Sequence, residues 1–192
     1  LGCMTLQIVS HPDYDAGFSP EHRFPMGKYR ALMEELESSG ALGRARLHEA
    51  LPAPAEALCR AHDPLYVEQV LSLSVPERIE REIGFPITER VSRRARLAAG
   101  GTMLASRLAL VHGIACNTAG GSHHARQAHG AGFCTFNDVA VAALDLLAED
   151  LGNAILAGLR TGKINIGEEH AIARLRAHLR DPRAHKARAD NP

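Results

Sequence analysis

Residues 114–138 read IACNTAGGSHHARQAHGAGFCTFND, and this stretch decides the fold. Ile114–Asn117 is a strand candidate, and residues 119–136 form a glycine-rich loop after it. Residues 137–148 carry apolar side chains at helical spacing and predict a helix. A strand, a loop and a helix in this order indicate an α/β fold with parallel strands, in which ligands usually bind at the carboxyl ends of the strands.

Four further elements are predicted upstream of this stretch. They are a strand at Leu6–Ser10 and helices over about residues 29–39, 63–71 and 88–111. Asp63, followed by proline, and Thr88 are suited to cap the second and third of these helices. Gly100 and Gly101 lie inside the third helix, where glycine costs stability, so we expect a neighbouring element to pack closely there.

The composition of the 192-residue chain predicts a domain with a buried core, since 45% of its residues are hydrophobic and 23% are charged. Lys plus Arg (22) equals Asp plus Glu (22), so the net charge is zero. The chain therefore has no overall positive charge that would favour nucleic acid or an anionic membrane as a partner. No apolar run approaches the roughly 18 residues of a spanning helix, and the N-terminus lacks the pattern of a signal peptide. The four cysteines are scattered and suggest no disulfide framework, so a cytoplasmic protein is predicted.

The composition changes after about residue 150. Residues 151–192 contain no aromatic residue and carry 8 Lys/Arg against 4 Asp/Glu. We therefore predict a body over residues 1–150 and a divergent basic tail over residues 151–192, helical at first and disordered over residues 183–192. The tail histidines His170, His178 and His185 lack the i, i+4 spacing of two ligands on one helix face, so a surface helix is favoured over a metal site.

The adjacent histidines His123 and His124 are the strongest candidates for chemistry. Small residues flank them, so the backbone can turn sharply and direct both rings into one pocket. A histidine pair can share a proton and act as general base and general acid near neutral pH. Taken alone, the pair also fits a chance occurrence on the surface.

The string GGSHHA at residues 120–125, followed by GAGFCTFND at residues 130–138, resembles the signature of the histone deacetylase family, among the arginase-like zinc hydrolases. Residues 22–29 (HRFPMGKY) are similar to an element of its class IV-like branch, and residues 61–67 (AHDPLYV) to the start of a family helix. The matches span about residues 6–149. The resemblance implies a partial arginase/deacetylase-like three-layer fold with a parallel sheet, of which residues 1–150 are the N-terminal part.

The resemblance also implies roles for individual residues. His123 and His124 match the two active-site histidines; the second is usually general base and acid, and the first assists electrostatically. Phe133 matches an aromatic wall of the acyl-lysine tunnel, and Gly132 the backbone beside it, although an ordinary core phenylalanine is the alternative.

Other positions within the matched motifs are interpreted more plainly. Cys134 fits a small buried residue better than a nucleophile. Asn137 or Asp138 is expected to cap the helix that follows. Lys28 aligns with a basic residue near the family's inner cavity, and a solvated surface lysine is an equal alternative.

The sequence departs from the family pattern after about residue 149, and we therefore expect a truncated member. The family takes its zinc ligands from an Asp-x-His segment and a later aspartate, and a tyrosine stabilises its transition state. Residues 151–192 contain no Asp-x-His, no Gly-Asp-Gly and no tyrosine. Zinc is thus expected for the family, but no metal ligand can be identified in this chain.

Two classes of function follow from these observations. The family activity is zinc-dependent hydrolysis of acetyl-lysine or acetylpolyamine amides. The alternatives are an inactive truncated or frame-disrupted remnant, and a module that binds acyl-lysine without hydrolysing it. Because the strands that normally follow residue 150 are missing, we also expect an open sheet edge, covered by the tail helix or by self-association with a second chain.

Overall fold

The computed structural model describes the backbone of residues 5–160 and the side chains of residues 5–154. The predicted tail helix with its three histidines and the segment 183–192 lie outside the described residues. Among the described helices, none is long and apolar enough to cross a membrane.

Three parallel strands form the sheet within residues 5–160. They are β1 (Leu6–Ser10), β2 (Ala45–Glu49) and β3 (Ala115–Asn117), in the order β2-β1-β3. Ile8 in the central strand lies opposite Leu47 on one side and Cys116 on the other. The predicted α/β class and parallel sheet are confirmed.

Residues 5–160 contain six α-helices, the longest of which packs on the sheet. They are α1 (Lys28–Ser38), α2 (Ala55–Ala61), α3 (Pro64–Leu71), α4 (Glu77–Ile83), α5 (Glu89–His112) and α6 (Asp138–Arg160). Short 3-10 turns occur at Pro12–Tyr14 and Leu42–Arg44. The long helix α5 packs against β1, β3 and α6, so it connects the sheet to the helix that follows the histidine loop.

The predicted helix starts agree with the structure. The Asp63 side chain accepts a hydrogen bond from the Leu65 backbone N–H, and the Thr88 side chain accepts one from Val91. These bonds satisfy N–H groups that have no partner within the helix.

Other elements differ from the sequence-based expectation. Helix α6 runs to Arg160, whereas the sequence predicts its end at about Ala148. The helix therefore continues through residue 150, the predicted boundary between body and tail. That boundary stays a prediction. Strand β2 and helices α2 and α4 were not predicted. Strand β2 lies at the sheet edge with three of its five residues exposed, and both helices have seven residues, too few for a clear apolar period.

The close packing expected at Gly100 and Gly101 is confirmed. A Cβ atom added to Gly100 would lie 1.9 Å from the carbonyl oxygen of Leu51, and one on Gly101 would lie 2.2 Å from the hydroxyl oxygen of Tyr14. Only hydrogen fits in either space, so these glycines let α5 contact the segments that follow β1 and β2.

Both edges of the sheet, β2 and β3, are open within the described part of the chain, and the β3 edge lies next to exposed apolar residues. Strand β3 pairs with β1 on one side and has no partner strand on the other. Large apolar side chains near this strand are exposed, namely Leu110 (75%), Val111 (77%) and Ile114 (48%). An unpaired strand beside exposed apolar side chains favours association with another chain.

We expect the 192-residue chain to self-associate through the β3 edge. Ile114→Glu should shift the population toward monomer, because a charge at the contact would have to be desolvated. Leu65→Glu, at an apolar position on α3 that is 62% exposed, serves as the matched control. Light scattering coupled to gel filtration measures the masses. A parent chain that is monomeric at every accessible concentration contradicts the prediction.

Candidate functional site

The His123–His124 pair lies in the loop that leaves the carboxyl end of β3, as predicted for a site in an α/β fold. The two rings are adjacent, with centroids 4.3 Å apart and planes tilted by 36°. Both residues are exposed, so water or a ligand can reach them.

The ring of His123 is fixed by a hydrogen bond to its own loop. Its Nδ1 lies 2.8 Å from the carbonyl oxygen of Gly121. A carbonyl oxygen only accepts, so Nδ1 carries the proton and the neutral ring presents a free lone pair on Nε2. A ring held in this tautomer can accept a proton at Nε2.

The backbone just before the histidines is held by a buried carboxylate. Asp138 is the first residue of α6 and is 1% exposed. Its Oδ1 accepts from the Ser122 N–H at 2.6 Å, and its Oδ2 accepts from the Gly121 N–H at 3.0 Å. The hydroxyl of Thr102 on α5 donates to the same Oδ2.

A chain of polar groups connects this carboxylate to the core. Asn117 at the end of β3 donates from Nδ2 to the Thr102 hydroxyl oxygen and to the Ala98 carbonyl, both at 2.9 Å. Its Oδ1 accepts from the Tyr14 hydroxyl at 2.8 Å. Burial raises the pKa of Tyr14, so the phenol stays neutral and donates. Strand β3, helix α5 and the histidine loop are thereby joined by paired buried groups.

The far end of the loop is held by a buried histidine, His62. Burial lowers its pKa, so the ring is neutral at pH 7. Nδ1 then donates to the Arg126 carbonyl at 2.9 Å, and Nε2 accepts from the Asn137 N–H at 2.9 Å. His62 is therefore a structural residue that ties α2 to the loop.

Gly132 and Phe133, the residues predicted to line the substrate tunnel, follow the histidines in the same loop, and Gly132 lies against His124. Gly132 and Phe133 both have left-handed backbone conformations, with φ of +54° and +66°. Their N–H groups donate to the carbonyls of Glu82 (3.0 Å) and Ile83 (2.7 Å) at the end of α4, which holds the strained Phe133 backbone in place. A Cβ on Gly132 would lie 3.0 Å from Cγ of His124, so glycine allows this backbone to approach the ring.

The Phe133 ring is half-buried against other aromatic rings. It stacks on Phe85 at 6.3 Å and lies 5.2 Å from Phe24, while the Arg23 guanidinium lies 5.8 Å from its centroid. The ring packs on the core and keeps part of its surface open. These contacts are those of a phenylalanine packed on the core, and its role as a wall of an acyl-lysine tunnel stays a prediction.

The remaining predicted positions have structural surroundings. Cys134 is buried, and its thiol donates to the Gly132 carbonyl at 3.6 Å. The side chain of Asn137 accepts from the Ala140 N–H at 3.0 Å and so caps α6. Lys28 is exposed, and its ammonium nitrogen lies 4.5 Å from the Phe24 ring centroid.

The described residues do not provide a site for the zinc expected of the family. Within residues 5–154, no group of three or more His, Cys, Asp and Glu side chains is placed to hold a metal ion. An open catalytic zinc site normally takes three protein ligands, so the histidine pair does not fit this metal by itself.

Comparisons with known proteins agree with the fold and the loop. The profile of the histone deacetylase domain matches residues 22–156. An uncharacterized protein of Picosynechococcus sp. is 39% identical over 153 residues, covering 80% of this chain and 51% of that protein. Histone deacetylase 2 of Arabidopsis thaliana is 30% identical over 145 residues, covering 71% of this chain and 38% of that protein.

A solved structure shows the same fold. The crystal structure of the HDA15 HD domain superposes with a TM-score of 0.63 at 22% identity, covering 77% of this chain and 44% of that one. The fold is therefore the α/β fold of a deacetylase domain. Since the domain profile matches more than half of the sequence, the chain belongs to the histone deacetylase family. It spans about half or less of the length of these relatives.

Sequence reasoning missed the groups that support the histidines. Asp138 was interpreted with Asn137 as a helix cap, and Thr102 and Asn117 were not singled out. The consecutive Asn137-Asp138 pair was the one available signal, because a helix needs only one side-chain cap at its first residue.

Proposed function

We propose that this chain forms the histidine side of an amide hydrolase site that removes acetyl groups from lysine or from a polyamine. The observation that carries the proposal is the pair of adjacent, accessible imidazoles next to Gly132, the residue before Phe133. One ring has its tautomer fixed by the loop, and the other lies against Gly132.

The two histidines have different proton-transfer roles. No described residue hydrogen-bonds to the His124 ring, so both of its nitrogens are available to water or substrate. His124 acts as general base toward the attacking water and then as general acid toward the leaving amine. His123, with Nδ1–H held by Gly121, stabilises the charge that develops beside it.

The Phe133 wall suits a substrate with a methylene chain. Acetyl-lysine and acetylated polyamines both carry an acetamide at the end of such a chain, which is apolar and would lie along the aromatic ring. The test is release of acetate from an acetyl-lysine peptide and from an acetylpolyamine, with the unacetylated forms as blanks and the His124→Ala variant as the decisive comparison.

Zinc would polarise the acetyl carbonyl and lower the pKa of its attacking water, but the described residues do not hold it. We therefore assign to this part of the chain only proton transfer and substrate contact.

We expect the purified 192-residue chain to retain well under one zinc per chain after dialysis, because affinity falls steeply when ligands are missing. Elemental analysis measures the content, and a metal-free buffer blank sets the background. One tightly held zinc per chain that resists a mild chelator would contradict this expectation and show that residues outside the described range supply ligands.

Binding of acyl-lysine without hydrolysis is the second candidate function. It is favoured by the combination of a substrate wall with no three-ligand metal group among residues 5–154. Saturable shifts of the Phe133 ring resonances on adding an acetylated peptide, with no release of acetate, would establish this alternative.

A further inference from the structure

The carboxylate of Asp138 lies in the first turn of α6, where its charge favours the helix, but it caps no N–H group of that helix. Asn137 already caps α6 through the Ala140 N–H. Asp138 instead turns away from its helix and is buried at 1% exposure. A buried carboxylate is costly unless its oxygens are hydrogen-bonded, so its partners indicate what it does.

All three of its partners lie at or behind the histidine loop. Two are the consecutive N–H groups of Gly121 and Ser122, at 3.0 and 2.6 Å, and the third is the Thr102 hydroxyl. Hydrogen bonds to a carboxylate are stronger than those between neutral groups. Asp138 therefore holds the two peptide units on either side of Gly121, of which the second, Gly121–Ser122, lies directly before the pair.

That peptide unit has little else to hold it. Gly121 has φ of +92°, a conformation that favours glycine, and a Cβ atom added there would have no neighbour within 4 Å. The carbonyl of Gly121 is the group that accepts from His123 Nδ1 at 2.8 Å. A link therefore runs from the carboxylate through two backbone groups to one imidazole ring.

We propose that Asp138 is the positioning residue of the histidine pair: through the Gly121–Ser122 backbone it fixes the tautomer of His123 and the place of its ring beside His124. The action is on the backbone, since Asp138 does not hydrogen-bond to either ring. Thr102 and Asn117 extend the support to α5 and β3. Only the proton-transfer role of the pair rests on the proposed function; the positioning itself does not.

The test is ¹⁵N NMR of the histidine rings in the folded protein, at a pH where they are neutral. In the parent chain the Nδ1–H tautomer of His123 should dominate. Asp138→Asn keeps the shape of the side chain but replaces one carboxylate oxygen with an NH₂ group. This group faces a backbone N–H of Gly121 or Ser122, so that hydrogen bond is lost. We expect the ratio of Nδ1–H to Nε2–H tautomer to fall about fivefold, and the Gly121 and Ser122 amide protons to move upfield.

Asp145→Asn is the matched control. Asp145 is a second buried carboxylate of α6, at 6% exposure, and it binds Arg60 at 2.6 Å and Arg107 instead of the loop. The Asp145→Asn substitution should lower the unfolding temperature and leave the His123 tautomer ratio unchanged. Thr102→Ser, which keeps the hydroxyl, should also resemble the parent.

Several results would overturn the proposal. One is an unchanged tautomer ratio in folded Asp138→Asn, and another is an equal change in Asp145→Asn. If Asp138→Asn does not fold, the parent protein provides the test. The scalar coupling across the hydrogen bond from the Ser122 N–H to the Asp138 carboxylate is then measured by NMR. Absence of this coupling contradicts the proposal. These readouts need no deacetylation, so a failure of the proposed function leaves them unaffected.

Discussion

Where a full-length partner or a second copy completes the site, replacing His124 with alanine is expected to lower the rate of acetate release by about 10²–10⁴, because loss of a general base typically costs this much. The ring is exposed and makes no hydrogen bond with a described residue, so the fold should be unaffected. The rate is measured on an acetyl-lysine peptide, with the chain alone or associated with a second chain, and circular dichroism checks the fold.

His112→Ala is the matched control for this prediction. His112 is an exposed histidine at the end of α5, outside the loop, and its removal should leave the rate within about twofold of the parent. Retention of activity within a few-fold in His124→Ala would show that the pair does not carry the chemistry. A parent that binds the acetylated peptide without releasing acetate would instead establish the binding alternative.

Replacing Gly100 with alanine is expected to lower the free energy of unfolding by about 3 kcal/mol, at the upper end for overpacking a core. The added Cβ would lie 1.9 Å from the Leu51 carbonyl oxygen, which is backbone and cannot rotate away. The helix propensity gained by alanine, about 1 kcal/mol, offsets only part of this cost. Urea unfolding followed by circular dichroism measures the change.

Gly152→Ala is the control for this prediction, because it makes the same substitution in a helix at a position with free space around it. Gly152 lies inside α6, and a Cβ added there would have no neighbour within 4 Å. Alanine should therefore raise the free energy of unfolding by about 0.5–1 kcal/mol through helix propensity alone. Equal effects of the two substitutions would mean that close packing at Gly100 does not matter for stability.

The histidine pair and the Phe133 wall could be found from the sequence because a short string carries them. Residues 120–125 and 130–138 are contiguous motifs whose family resemblance suffices to name the loop. The supporting groups could not be found in this way. Thr102 is 21 positions before His123 in another element, while Asn117 and Asp138 lie closer but each has an ordinary local explanation, as the end of a strand and the start of a helix.

The sequence by itself determined those elements that depend on residues close together in the chain. The sequence alone settled the β1 strand, the strand–loop–helix unit at β3 and the capped starts of α3 and α5, because caps and apolar periods act between residues near in the chain. It also predicted that Gly100 and Gly101 have close neighbours, since glycine inside a helix needs such a reason.

Only the tertiary structure decided which distant groups meet. It showed that a polar edge strand, β2, completes the described sheet, and that Leu51 is the neighbour of Gly100. It also showed that the Asp138 carboxylate turns from its own helix to the histidine loop. The physical reason is that a buried polar group takes its partners from whatever segments the packing brings together, and no local pattern encodes that choice.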